Sequence, residues 1–92
     1  MTVKVCLYVH NPEQNFTTSI VCEFTRIPTV GEHITILSEE NCYMGYAFKV
    51  VFVMQIPLTC DVPHREYEYS AEIYALGERI KEAIEASGFY NR

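Results

Sequence analysis

The chain has 92 residues, enough for one compact domain and too few for two independently stable cores. Apolar residues make up 49%, aromatic 13% and charged 21%, the balance of a folded soluble chain, which excludes disordered and membrane-spanning classes. Seven Lys and Arg against twelve Asp and Glu give a net charge of -5, so nucleic-acid binding is disfavoured, because phosphate neutralisation dominates that affinity.

Residues 2–10 alternate, with Val3, Val5, Leu7 and Val9 on one face and Lys4, Cys6, Tyr8 and His10 on the other, which predicts a half-buried strand. Asn11-Pro12-Glu13-Gln14-Asn15 supplies turn formers. A β-branched run over 17–27, with Ile20, Cys22 and Phe24 on one face, then completes a predicted hairpin. Pro28 cannot donate to a ladder and Gly31 tolerates positive φ, so the second strand breaks there and the chain turns.

A short strand is predicted over 33–37 and a polar loop over 38–45. The fourth strand, 46–56, carries Phe48, Val50, Phe52, Met54 and Ile56 on one face and Ala47, Val51 and Val53 on the other. Apolar residues on both faces predict a central strand covered on both sides. Residues 57–66 form a long loop, and 67–75 alternate again as a fifth strand. From Gly77 the period lengthens, placing Leu76, Ile80, Ala83 and Ile84 on one stripe, with Gly88 suited to a left-handed cap. This predicts a helix over 77–87 docked on the fourth strand. The class is α+β, mainly β: five antiparallel strands with one C-terminal helix packed on them. The first or the last strand is the expected sheet edge.

Pro28-Thr29-Val30-Gly31-Glu32, followed by Phe48-Lys49-Val50-Val51-Phe52-Val53 and Ala71-Glu72-Ile73-Tyr74, resembles small uncharacterised bacterial and phage proteins with a P-x-V-G-E turn in an SH3-like β-barrel. The resemblance spans positions 28 to 74. It implies a partly open barrel and carries over no functional residue.

Four cysteines at positions 6, 22, 42 and 60 form no local CxxC pair of the kind a zinc or redox site uses. The N-terminus runs straight into alternating residues without the features of a signal peptide, so the expectation is a cytoplasmic chain with reduced thiols. The longest apolar stretch, Val50 to Met54, falls far short of the ~20 residues that span a bilayer. Nucleotide-binding, zinc-protease and serine-hydrolase motifs are missing, and no cofactor is expected.

Cys60 and His64, four apart in the long loop with Asp61 between them, have the types for a thiol–imidazole nucleophile or a metal site. Cys42, at the other end of the fourth strand, is too far away to join them. The simpler reading makes Cys60 a small hydrophobe and His64 a solvated loop residue. His10, His33 and Glu32 could ligate a divalent ion only if the register brought two strand ends together. Cys6 and Cys22 face each other only if the first hairpin pairs them. The tyrosines Tyr43, Tyr46, Tyr67, Tyr69 and Tyr74 form the candidate interaction surface, since tyrosine joins a large apolar body to a polar tip. Their neighbours Glu66, Glu68 and Glu72 suit a peptide, a basic partner or a second copy rather than a polyanion. The favoured reading is a non-enzymatic protein-binding or assembly module, with homodimer formation through an edge strand or the tyrosine face. The alternative is a small thiol or metal enzyme using Cys60 and His64.

Overall fold

The computed structural model describes residues 1–63, 65 and 68–91. Five strands, β1 (Val3–Asn11), β2 (Phe16–Phe24), β3 (His33–Thr35), β4 (Tyr46–Gln55) and β5 (Ala71–Arg79), precede a seven-residue helix α1 (Ile80–Ala86) and a short 3-10 turn (Phe89–Asn91). The strands form one sheet in the order β2-β1-β5-β4-β3, curled into a half-barrel.

β1 and β2 pair antiparallel in unbroken register from Val3↔Phe24 to Asn11↔Phe16, as the alternation and the polar turn predict. β1 and β5, however, run parallel, so the sheet is mixed and not wholly antiparallel. The first and last strands are therefore interior, and the edges are β2 and β3. The reason is connectivity. The link from β2 to β3 joins the two edges of the sheet, with Ile27 packed against the core on the way, and β4 and β5 lie between β3 and β1.

Val5, Leu7 and Val9 of β1, Ala71, Ile73 and Ala75 of β5, and Phe48 and Val50 of β4 make the core with Ile34 and Tyr46. Phe16, Ile20, Cys22 and Phe24 of β2 pack against it but stay half-buried. A loop residue, Tyr43, closes one end edge-on to Phe16 and Phe48, at centroid distances of 5.5 and 6.3 Å.

Two differences from the sequence pattern have local causes. A bulge between Val50 and Phe52 breaks the phase of β4. Phe48 and Val50 face the core, whereas Phe52 and Met54 fall on the outer face and Val53, opposite Ile73, returns to the core side. Apolar residues on both sides of 46–56 thus record a change of phase, and the central strand is β5. The P-x-V-G-E turn sits against the bulge. Gly31, at φ 95°, donates its N–H to the Val50 carbonyl at 2.8 Å, and the Val50 N–H returns 2.8 Å to Glu32 O.

The predicted start of the fifth strand at 67 lies outside the described residues; β5 spans Ala71–Arg79 and so runs through 77–79, where the pattern predicts a helix. Gly77 makes this possible: a Cβ there would lie 3.0 Å from Phe48 Cε1 and 3.2 Å from Asn11 Cβ and Cγ, so only glycine lets β5 continue between those buried side chains. The helix shortens accordingly to about two turns. Its first N–H, from Ile80, bonds the Gly45 carbonyl at 3.0 Å, and Ile80 and Ala83 rest near Ala47 and His33. Leu76 belongs to the outer face of β5, outside any helical stripe. Ile84 is 37% exposed, so the docking is shallow.

Candidate functional site

The convex face carries the side chains that alternate with the core. Register places Ser19, Tyr8, Tyr74 and Phe52 in one row across four strands. On one side of it runs Val21, Cys6, Glu72 and Met54, and on the other Thr17, His10, Leu76 and Lys49. The rings of Tyr8 and Tyr74 stack 4.7 Å apart and 9° from parallel, and Phe52 meets Tyr74 edge-on at 5.7 Å. Phe52 is 52% exposed, and Val51, Met54, Leu76 and Val21 are exposed beside it. Tyr8, His10, Thr17, Val51, Tyr74 and Leu76 line a groove of about 320 Å³ on this face.

The polar groups within this aromatic band are specific. The Tyr74 hydroxyl donates to Glu72 Oε1 at 3.0 Å, which holds the phenol neutral and raises its pKa. Tyr8 is pushed up to about 12, first by its hydrogen bond with the Cys6 thiol, then by Cys6, desolvation, Glu72 and Tyr69. At the far end His10 Nδ1 lies 2.6 Å from Thr17 Oγ1. The face therefore combines neutral rings, a groove and, directly beside the rings, the Glu72 carboxylate, with Lys49 in the adjacent row, a set that suits a cation carried between apolar groups.

The tyrosines expected to form one surface divide. Tyr74 is on the outer face, and Tyr69, half-buried in the bend before β5, acts electrostatically on Tyr8 and Tyr74. Tyr46 is only 4% exposed and belongs to the core, where its hydroxyl accepts a 3.1 Å bond from Gln14 Nε2. Tyr43 is half-buried as the core's end cap, and burial is the first cause of its raised pKa. Tyr67 lies outside the described residues. Tyr8 and Phe52 take the places of Tyr43 and Tyr46. Tyr8 was legible in the alternation of β1, on the face opposite Val5 and Leu7, but Phe52 was hidden by the bulge.

Cys60 is exposed, with its thiol 3.2 Å from the Val62 carbonyl, and His64 lies outside the described residues. Cys42 is half-buried at the opposite end of β4, and its carbonyl accepts from Asn11 Nδ2 at 3.0 Å. Among the described residues no group of three His, Cys, Asp or Glu side chains is placed to hold a metal ion. The set His10, His33 and Glu32 is taken apart by topology, since β5 and β4 stand between β1 and β3. His33 Nε2 instead lies 2.7 Å from Glu78 Oε1, and Glu32 binds Arg26 and Thr29. Cys22 pairs with Val5 and Cys6 with Val21, so the two thiols point to opposite faces of the hairpin. All four cysteines are free thiols. Among the described residues no helix is long and apolar enough to cross a membrane.

Compared with protein-family models, curated proteins and solved structures, the chain has no significant match in any of the three.

Proposed function

We propose that the protein is a non-enzymatic binding and assembly module whose convex aromatic face takes a protein segment presenting an Arg or Lys side chain between apolar ones. The observation that carries this reading is the outer-face row in which the half-buried, stacked rings of Tyr8 and Tyr74 run into the exposed Phe52, with the half-buried Glu72 carboxylate beside them. A sheet that needed only a core would put polar residues on its solvent face, and a contiguous apolar patch there marks an interaction site. The exposed Phe52 ring favours a cation, as does the net charge of -5. Lys4, also on this face, is opposed cross-strand by Glu23, and Lys49 stands opposite Leu76 in the next row, so Glu72 is the charge directly beside the stacked rings. Free thiols fit action in a reducing compartment such as the cytoplasm.

The test is an NMR titration with two peptides of equal apolar content, one carrying arginines and one glutamates. The arginine peptide is expected to shift the amides of Tyr8, Phe52, Glu72 and Tyr74, with binding weakened in Glu72→Gln and Tyr74→Ala. Shifts confined to other surfaces, or equal response to both peptides, would overturn the reading.

A further inference from the structure

We infer that β2 is a self-pairing edge, through which two copies of the chain join antiparallel about Ile20 into one continuous ten-stranded sheet. This deepens the assembly half of the proposed function and uses a different surface from the aromatic face. The sheet has two edges, and they are managed differently. β3 is only three residues long, a common way of blunting an edge. β2 presents nine residues, Phe16–Phe24, without a proline, without a bulge in its register and with Glu23 as its one charge, so its outward N–H and C=O groups are an open template.

A second copy is the occupant that the residues of β2 specify. Antiparallel pairing about Ile20 is the one two-fold register that uses all nine residues. It sets Phe16 against Phe24 of the other copy, Thr18 against Cys22, and Ile20 against itself on the core side. On the outer side it sets Thr17 against Glu23 and Ser19 against Val21. Each acid then meets a threonine, and the two Glu23 carboxylates stand ~20 Å apart along the strand, beyond the range at which they repel in physiological salt. A slip of one residue would put core-side chains on the outer face and is disfavoured.

The burial pattern supports the same conclusion independently. Val5, Leu7 and Val9 on β1 are essentially inaccessible, while Phe16, Ile20, Cys22 and Phe24 on the neighbouring β2 remain half-buried. The core is therefore less covered along β2, where all four of these inward side chains stay half-buried. The pairing lays Phe16 of one copy over Phe24 of the other and completes the burial on that side.

The experiment is sedimentation velocity on the full chain over a micromolar to sub-millimolar range, with a charge-swap pair. The wild type should move toward twice its 10.6 kDa mass as concentration rises. Ser19 and Val21 are both exposed on the outer face, so substitution there spares the core. Ser19→Lys with Val21→Lys places like charges opposite each other twice and should weaken association roughly tenfold or more, whereas Ser19→Glu with Val21→Lys creates two opposite-charge pairs and should preserve it. Amide dispersion in the NMR spectrum shows that each variant is folded. A wild type monomeric throughout, or two charge variants that associate equally, would overturn the proposal. So would loss of association in Phe52→Ser with Tyr74→Ala, which would assign self-association to the aromatic face. The peptide titration reads that face separately, so either proposal can fail alone.

Discussion

Tyr8 stacks on Tyr74 across the parallel seam that joins β1 to β5, with ring centroids 4.7 Å apart. The two residues are register partners separated by most of the chain, and their contact rivets the hairpin to the C-terminal strand on the side away from the core. Offset ring pairs contribute about 0.5–1.5 kcal/mol beyond area burial. A double-mutant cycle with Tyr8→Leu and Tyr74→Leu, followed by urea unfolding, should therefore return a coupling energy in that range. A coupling near zero would mean that the stack adds nothing to the fold.

Phe48 and Phe52 lie four residues apart on one strand and should respond in opposite ways. Phe48 is fully buried, so Phe48→Ala should cost about 3–5 kcal/mol, a large part of a small domain's stability. Phe52 is 52% exposed and meets Tyr74 only edge-on, so Phe52→Ala should cost about 1 kcal/mol. Equal costs, measured by urea midpoints, would contradict the bulge between Val50 and Phe52.

Gly77→Ala tests the extension of β5. Adding a Cβ lowers the entropy of the unfolded chain, which stabilises by about 0.4–1 kcal/mol where space allows. Here the new methyl meets the Phe48 ring at 3.0 Å and Asn11 at 3.2 Å, both fully buried and unable to retreat into solvent. Overpacking should win, with a net loss of about 1–3 kcal/mol. A raised melting temperature would show that Gly77 is not held between these side chains.

Glu32 should govern part of the acid sensitivity. Its carboxylate accepts from Arg26 Nη1 at 2.8 Å and from the Thr29 N–H at 2.6 Å, and it closes the turn that clips onto Val50. The Arg26 bond is the first cause, followed by the Thr29 backbone and hydroxyl, that lowers its pKa from 4.5 to about 2. A carboxylate with a depressed folded pKa stabilises the fold above its unfolded value, and that contribution fades as pH falls through 4.5 toward 2. Wild type should therefore exceed Glu32→Gln in stability by a constant margin at neutral pH, and the two should converge below pH 4.5. A margin that widened with acid would reverse the assignment.

Where neighbours in sequence are neighbours in space, the residues were readable. The β1–β2 hairpin follows from period-two alternation around Asn11-Pro12, and Gly31 in the P-x-V-G-E turn takes the positive φ expected of it. The site was less legible. Tyr8 could be placed opposite the core of its own strand, but nothing in its surroundings named Tyr74 as its partner. Tyr46 looked like a surface tyrosine beside Gly45 and is a core residue that binds Gln14.

The sequence by itself determined the mainly β class, the hairpin, the turn at 28–32, the inward face of β1 and the acidic balance. These depend on local dihedral preference and on which side chains water excludes. Only the tertiary structure decided that β1 and β5 run parallel at the centre, that β2 is the long open edge, and that a bulge turns Phe52 outward to join Tyr8 and Tyr74. Each of these depends on strand pairing between distant segments, or on one unpaired residue that reverses a strand's phase. Identical alternation fits either order and either phase until a buried contact, such as Gly77 between Asn11 and Phe48, selects one.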